Sequence, residues 1–241
     1  MYKKLYIYPI LFALALVLGS VGFRSLSAKD SANDERERAM KAGEVLSQVM
    51  QIPEDGIPND LMARADAVAV IPHMVKGAFG IGGEYGKGLV SERRADGTWS
   101  APSYIKIGGG NFGFQLGVEA TDLVLVFTDH NGFKGLLDGK VKLGADAQVA
   151  AGPVGRHAQV ATDIMLKSPV FAYSRSKGLF AGISLDGAVV EIDDSANRGA
   201  YGRAVSAQDI LLTHSVHKND VVMPFLRVLD QYAPAHKRAT D

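Results

Sequence analysis

The chain has 241 residues, 26 basic and 26 acidic side chains, 27 glycines and no cysteine. Balanced charge gives no bulk attraction for nucleic acid, so any anionic partner must be met by a local patch. Without cysteine there are no disulfides, no thiol nucleophile and no lipid-modified cysteine, so the core alone must hold the fold.

Residues 1–28 are set apart by order of composition. Lys3 and Lys4 precede the apolar stretch Ile10 to Leu18, and Leu26-Ser27-Ala28 supplies small residues at its end. This is the pattern of a secretory signal cleaved after Ala28; an uncleaved anchor or a buried helix shares its hydrophobicity. Removing Lys3, Lys4 and Arg24 leaves 23 basic residues against 26 acidic ones, a net charge of −3. The expected location is therefore exported and periplasmic.

Residues 29–60 form the next unit. Asp30 to Gln51 reads as a helix, with Ser31 or Asn33 as its cap and Ala39, Ala42, Val45, Leu46, Val49 and Met50 on one stripe. Its polar face mixes Asp34, Glu35, Glu37 and Glu44 with Arg36, Arg38 and Lys41, which favours docking on protein over lying in a membrane surface. Pro53 to Pro58 is a turn-rich link.

Residues 61–232 read as one domain. Leu61 to Ala65 suggests a short helix, and Ala67 to Ile71 is a continuous apolar run, the pattern of a strand covered on both faces. Further strands are expected at Phe79–Glu84, Leu89–Arg93, Tyr104–Ile107, Phe112–Glu119, Asp122–Phe127, Val141–Val149, Val170–Ser174, Leu179–Ser184 and Val189–Ile192. Ala95-Asp96-Gly97, Asp129-His130-Asn131-Gly132, Ser176-Lys177-Gly178 and Asp186-Gly187 separate them as hairpin turns. Ser206 with Asp209 has capping-box spacing, and Val221 to Tyr232 carries Val222, Phe225, Leu226 and Leu229 on one helical face. Residues 233–241 read as a polar tail. The expected fold is α+β, an antiparallel β-barrel or sandwich with flanking N- and C-terminal helices.

Catalytic templates fail one by one. Gly182-Ile183-Ser184-Leu185-Asp186 lacks the second glycine of a nucleophile elbow. Gly82 to Gly88 has Gly88 where a phosphate-binding loop needs Ser or Thr, and reads as a turn exposing Lys87. His73, His130 and His157 are scattered, and His214 with His217 supplies too few ligands for zinc. Glu191, Asp193, Asp194 and Asn197 lack EF-hand order, and Asp194 and Asn197 are read as pins of local backbone. No cofactor and no catalytic residue is expected. The remaining signal is a set of basic residues beside glycine turns: Lys76, Lys87, Arg93, Arg94, Lys106, Lys134, Lys140 and Lys142. Converging on one end of the fold they would bind lipid phosphate; dispersed among Glu84, Glu92 and Asp96 they would be a solvated face.

Several ordered segments resemble one family. Ala67 to Pro72, Gly80 to Gly88, Arg93, Trp99-Ser100-Ala101-Pro102, Gly113-Phe114-Gln115-Leu116-Gly117, Leu143-Gly144-Ala145-Asp146, Gly152-Pro153-Val154-Gly155, Asn197 and Tyr201-Gly202 are similar to the SYLF domain. The resemblance runs from about Glu44 to Leu212. It implies a non-enzymatic module that binds phospholipid, with phosphoinositides as ligands of the eukaryotic members, some of which are actin-patch adaptors. An exported bacterial chain would meet neither actin nor phosphoinositides. The partners expected are thus an anionic phospholipid or membrane surface, or an envelope protein, with actin unlikely and nucleic acid not expected.

Overall fold

The computed structural model describes residues 28–52, 56–78, 82–111, 117–154, 168–176, 179–183, 185, 187–213 and 215–234. The leader up to Ser27, Gly113 to Leu116, His157, the Lys177-Gly178 turn, Ser184, Asp186, His214 and the polar tail beyond Pro234 lie outside the described residues.

Among the described residues nine strands form one curled sheet: β1 (Ala67–Ala78), β2 (Gly82–Glu92), β3 (Ser103–Asn111), β4 (Gly117–Phe127), β5 (Lys140–Lys142), β6 (Val149–Ala151), β7 (Val170–Ser176), β8 (Leu179–Gly182) and β9 (Val189–Ile192). Their order is β5-β9-β3-β2-β1-β4-β7-β6, with β8 also on β7, and only the β6–β7 pair is parallel. The helices are α1 (Ala28–Met50), α2 (Asn59–Ala63), α3 (His130–Leu137), α4 (Asp194–Tyr201), α5 (Ala207–Leu211) and α6 (Met223–Tyr232). The expected α+β class with flanking helices holds, as one half-barrel.

The sheet is covered on both faces, which is why Ala67–Ile71 and Leu123–Phe127 are apolar without alternation. On one face Ala69, Ile71, Ile105, Leu125 and Val190 meet Phe133 and Leu136 of α3 and Ile210 of α5. On the other, Val68, Val70, Leu89, Tyr104, Val124 and Tyr173 meet Ala42, Leu46 and Val49 of α1, Ala200 of α4 and Phe225 and Leu229 of α6. We call this second side the α1 face.

Several local expectations change. Helix α1 begins at Ala28, so Ser31 and Asn33 lie inside it and do not cap it. The short α2 starts two residues earlier than the expected Leu61. Strand β1 does not stop at Ile71; it continues to Ala78 through a bulge, with register breaks at Val70/Val75 against β2 and Ile71/Met74 against β4. The bulge lets a central strand carry Pro72, which has no ladder donor. Gly86-Lys87-Gly88 is accordingly mid-strand, not a turn. A Cβ on Gly88 would stand 2.1 Å from the Val70 carbonyl oxygen, and one on Gly86 2.6 Å from Ile71 Cγ2, so these glycines let β1 and β2 close at the bulge.

Asp129 to Gly132 is not a hairpin: the Asp129 side chain caps α3 by accepting from the Asn131 amide. The expected strand Val141–Val149 splits into β5 and β6, at opposite ends of the sheet. Between Glu119 and Asp122 there is no break, since β4 runs unbroken from Gly117 to Phe127. The Ala95-Asp96-Gly97 turn and the Ser206/Asp209 capping box form as expected.

Candidate functional site

Strand register decides which basic residues meet. Lys87 of β2 pairs with Lys106 of β3, Lys106 with Glu191 of β9, and Glu191 with Lys140 of β5. Paired residues share a face, so these four side chains form one row across four strands on the α1 face, spaced by about 4.8 Å per strand. Two residues further along, a second row on that face runs Val75, Tyr85, Gly108, Val189 and Lys142. Beyond it stands a third, Gly77, Gly83 and Gly110. Charged, apolar and bare rows thus follow one another along the strands.

The lysine row is partly neutralised from below. Lys106 Nζ lies 3.0 Å from Glu191 Oε1, and that carboxylate holds the Lys106 ammonium above its ordinary pKa. Lys87 Nζ is 3.8 Å from Asp193 Oδ2. Asp193 is buried, which pushes its carboxyl up, but the Ser195 hydroxyl, the Ala196 amide, Lys87 and Arg38 together bring it below the usual carboxylate range. Because Asp193 already caps α4 through Ala196, it is a fixed counter-ion, while Lys87 remains half-exposed at the surface.

Beside Lys87 opens a cleft of about 630 Å³, lined by Asp34, Glu37, Arg38 and Lys41 of α1 and by Pro72, His73, Val75, Tyr85, Gly86 and Lys87. On its α1 wall Lys41 pairs with Glu37 at 2.6 Å and Arg38 with Glu35 at 2.7 Å. Burial raises the Glu35 carboxyl despite Arg38. Tyr104, whose hydroxyl donates to the Glu35 carbonyl at 2.8 Å and whose ring lies 5.6 Å under the Arg38 guanidinium, ties this wall to the sheet. On the opposite lip His73 sits at φ 51°, a left-handed conformation unusual for a side-chain-bearing residue. Its amide donates to Asp122 at 3.0 Å, and Arg175 donates to Asp122 at 2.9 Å, so the bulge is clamped from two neighbouring strands.

The other expected basic residues lie elsewhere. Arg93 is a correction: it is 4% exposed, donates to the carbonyls of Ala65, Gly97, Pro234 and Met62, and stacks 4.3 Å over Trp99. Its guanidinium ties the end of α2, the Gly97 turn and the segment after α6 to the end of β2 and has no surface to offer a lipid. Arg94 is half-buried in the adjoining turn, where its charge, after burial, helps lower the Lys218 ammonium. Lys76 projects from the opposite face and pairs with Glu84 at 3.6 Å; Lys134 is exposed on α3. Register gathers Lys87, Lys106 and Lys140, with Lys142 alongside.

Asn197 does more than the local pinning expected of it. Its side chain accepts from the Tyr104 amide at 2.8 Å and donates to Ser103 Oγ at 3.0 Å, fixing α4 to β3. Among the described residues no three His, Asp or Glu side chains converge on a metal position, and no helix is long and apolar enough to cross a membrane. Tyr85 and Val75 carry no site signal in the sequence, and Glu191 enters there only among loop carboxylates without EF-hand order. Alternation within β2 puts Tyr85 and Lys87 on one face, but nothing local specifies that β9 places Glu191 beside Lys106.

The family model described as Ysc84, Las17-binding protein actin regulator, matches residues 108–232. The chain is 38% identical over 180 residues to LAS seventeen-binding protein 3 of Saccharomyces cerevisiae, covering 73% of this chain and 39% of that protein. It is 37% identical over 180 residues to Protein YSC84 of the same yeast, covering 73% of this chain and 38% of that protein. It is 35% identical over 182 residues to SH3 domain-containing YSC84-like protein 1 of Bos taurus, covering 73% and 53%. The chain thus spans about two fifths to a half of the length of these curated relatives.

Proposed function

Since the chain belongs to the Ysc84 family, the SYLF domain that its sequence resembles, we propose that it is a non-catalytic module that binds anionic phospholipid at a cell envelope. The lysine row carries this reading. Three ammonium groups on a rigid sheet, with only Glu191 within the row and Asp193 fixed beneath it, present a local positive strip on a chain of balanced overall charge. Lys and Arg are the donors that phosphate recognition requires, and a row of them along one sheet face suits a surface of many headgroups. The charge-then-apolar N-terminus supports export as the route to that surface.

Flotation of the purified chain with neutral and anionic vesicles, at low and high salt, tests this. Binding to anionic vesicles that falls with salt, and falls again in the Lys87→Gln/Lys106→Gln/Lys140→Gln variant, is expected. Binding that ignores both salt and these substitutions would sink it.

A second reading takes a protein partner. It is favoured by the relatives, which carry the names of Las17-binding and SH3-containing proteins, and by the half-exposed Val75 and Tyr85. Co-sedimentation with filamentous actin in the absence of vesicles would favour it.

A further inference from the structure

Two kinds of glycine lie in the sheet, Gly86 and Gly88 on the face away from α1 and Gly83 and Gly108 on the α1 face, and only the first kind is explained by packing against the described residues. Gly86 and Gly88 are forced by close approach of β1. Gly83 and Gly108 are not: among the described residues a Cβ on Gly83 would find one atom within 4 Å, the Gly109 oxygen at 3.7 Å, and a Cβ on Gly108 one, the Glu84 oxygen at 3.8 Å. Neither has the positive φ that excludes side chains. Glycine in a strand interior costs stability relative to a residue that packs, and where the register holds no bulge, as between β2 and β3, it marks a bend of the sheet or a place where something else comes close to the backbone.

The neighbours of these two glycines say what that is. Gly108 lies between Tyr85 and Val189 in the second row, and Gly83 between Gly77 and Gly110 in the third. Tyr85 is 53% exposed and Val75 44%, both among the few large apolar side chains left in solvent among the described residues. The lysine row adjoins them, about 7 Å away along the strands for a step of two residues. A cationic row at one edge, an apolar strip beside it and a bare strip beyond match the order of parts in a phospholipid: phosphate, glycerol and acyl chain.

Resting on the lipid-binding reading above, we propose that this face is a shelf for an individual phospholipid of a bilayer. Its phosphate meets Lys87 and Lys106, and its glycerol and upper acyl chain lie against Tyr85, Val75 and the backbone of Gly108 and Gly83. Charge complementarity commits the shelf to an anionic lipid. Tyrosine suits the position, with an apolar ring toward the chain and a hydroxyl toward the headgroup.

The test uses Tyr85→Trp and Gly108→Val, with Gly83→Val as a second filling variant should Gly108→Val not fold. The chain has one tryptophan, Trp99, which is fully buried, so an indole at position 85 is the only one able to respond to vesicles. Anionic vesicles are expected to shift its emission to the blue, whereas soluble glycerol phosphate leaves it unmoved. Filling the shelf is expected to lower vesicle affinity about tenfold, the scale of a misfitted apolar contact, with the thermal midpoint retained. Wild-type flotation with an unmoved indole and undiminished binding by the filled variants would overturn the shelf and leave the lysine-row reading standing. A blue shift of equal size with glycerol phosphate would also overturn it. Absence of wild-type flotation would overturn both.

Discussion

The α1 face of the sheet has two halves, divided by the Pro72-His73 bulge. On one side Val68, Val70, Leu89, Tyr104 and Val124 are closed under α1, α4 and α6. On the other, Val75 and Tyr85 continue the same strands but stay exposed, flanked by α1 only across the open cleft. Strand chemistry is similar in both halves; the presence of a cover separates a core from a surface. The covered half holds its polar groups in fixed pairs, such as Asn197 on Tyr104 and Arg93 on four carbonyls. The open half carries its polar groups as a solvent-facing row. Stability is therefore expected to reside in the first half and recognition in the second.

Substitutions across the divide sharpen this contrast. Gly88→Ala, on the closed side of the sheet away from α1, places a Cβ against the backbone of Val70 and Ile71, and is expected to cost about 3 kcal/mol or more in denaturant unfolding. Gly108→Ala, in the open half, should instead be neutral or stabilising by up to about 1 kcal/mol. Similar losses at the two positions would break the division. Next in size is Arg93→Met, which leaves buried carbonyls unpaired and is expected to cost about 3 kcal/mol without changing vesicle binding per folded molecule; the triple lysine variant should do the reverse. Asn197→Ala removes the tie between α4 and β3, for about 2 kcal/mol, again read by denaturant midpoint.

The smallest effect near neutrality is that of pH. Burial raises the phenols of Tyr104, Tyr173 and Tyr201 well above their ordinary value. Their folded pKa exceeds the unfolded one, so the stabilisation is complete below about pH 10 and is lost as pH rises beyond it. Thermal melts should be flat on this account from neutrality to about pH 9 and fall steeply above pH 10, and Tyr104→Phe should blunt the fall. An unchanged alkaline limb in that variant would remove Tyr104 from the account.

Periodicity and composition alone carried much of the architecture. The stripe of α1, the two-sided burial of Ala67–Ile71, the capping box at Ser206 and the α+β class are local or pattern-level properties, and local physics sets them. The bulge after Ile71 was hidden because proline in an apolar run reads as a stop, whereas pairing with β2 and β4 on both sides, with Asp122 on the His73 amide, carries the strand past it. The fate of the basic residues was hidden for a related reason. Arg93 and Lys87 are both strand cations beside glycines, and what separates them is which distant carbonyls or strands stand opposite. Lys106 and Glu191 lie far apart along the chain and become neighbours only through the β3–β9 ladder. The sequence by itself determined which residues could be buried and which segments could be strands. Tertiary structure decided which cations share a face, because register is set by long-range pairing and a shift of one residue would send each of them to the other side.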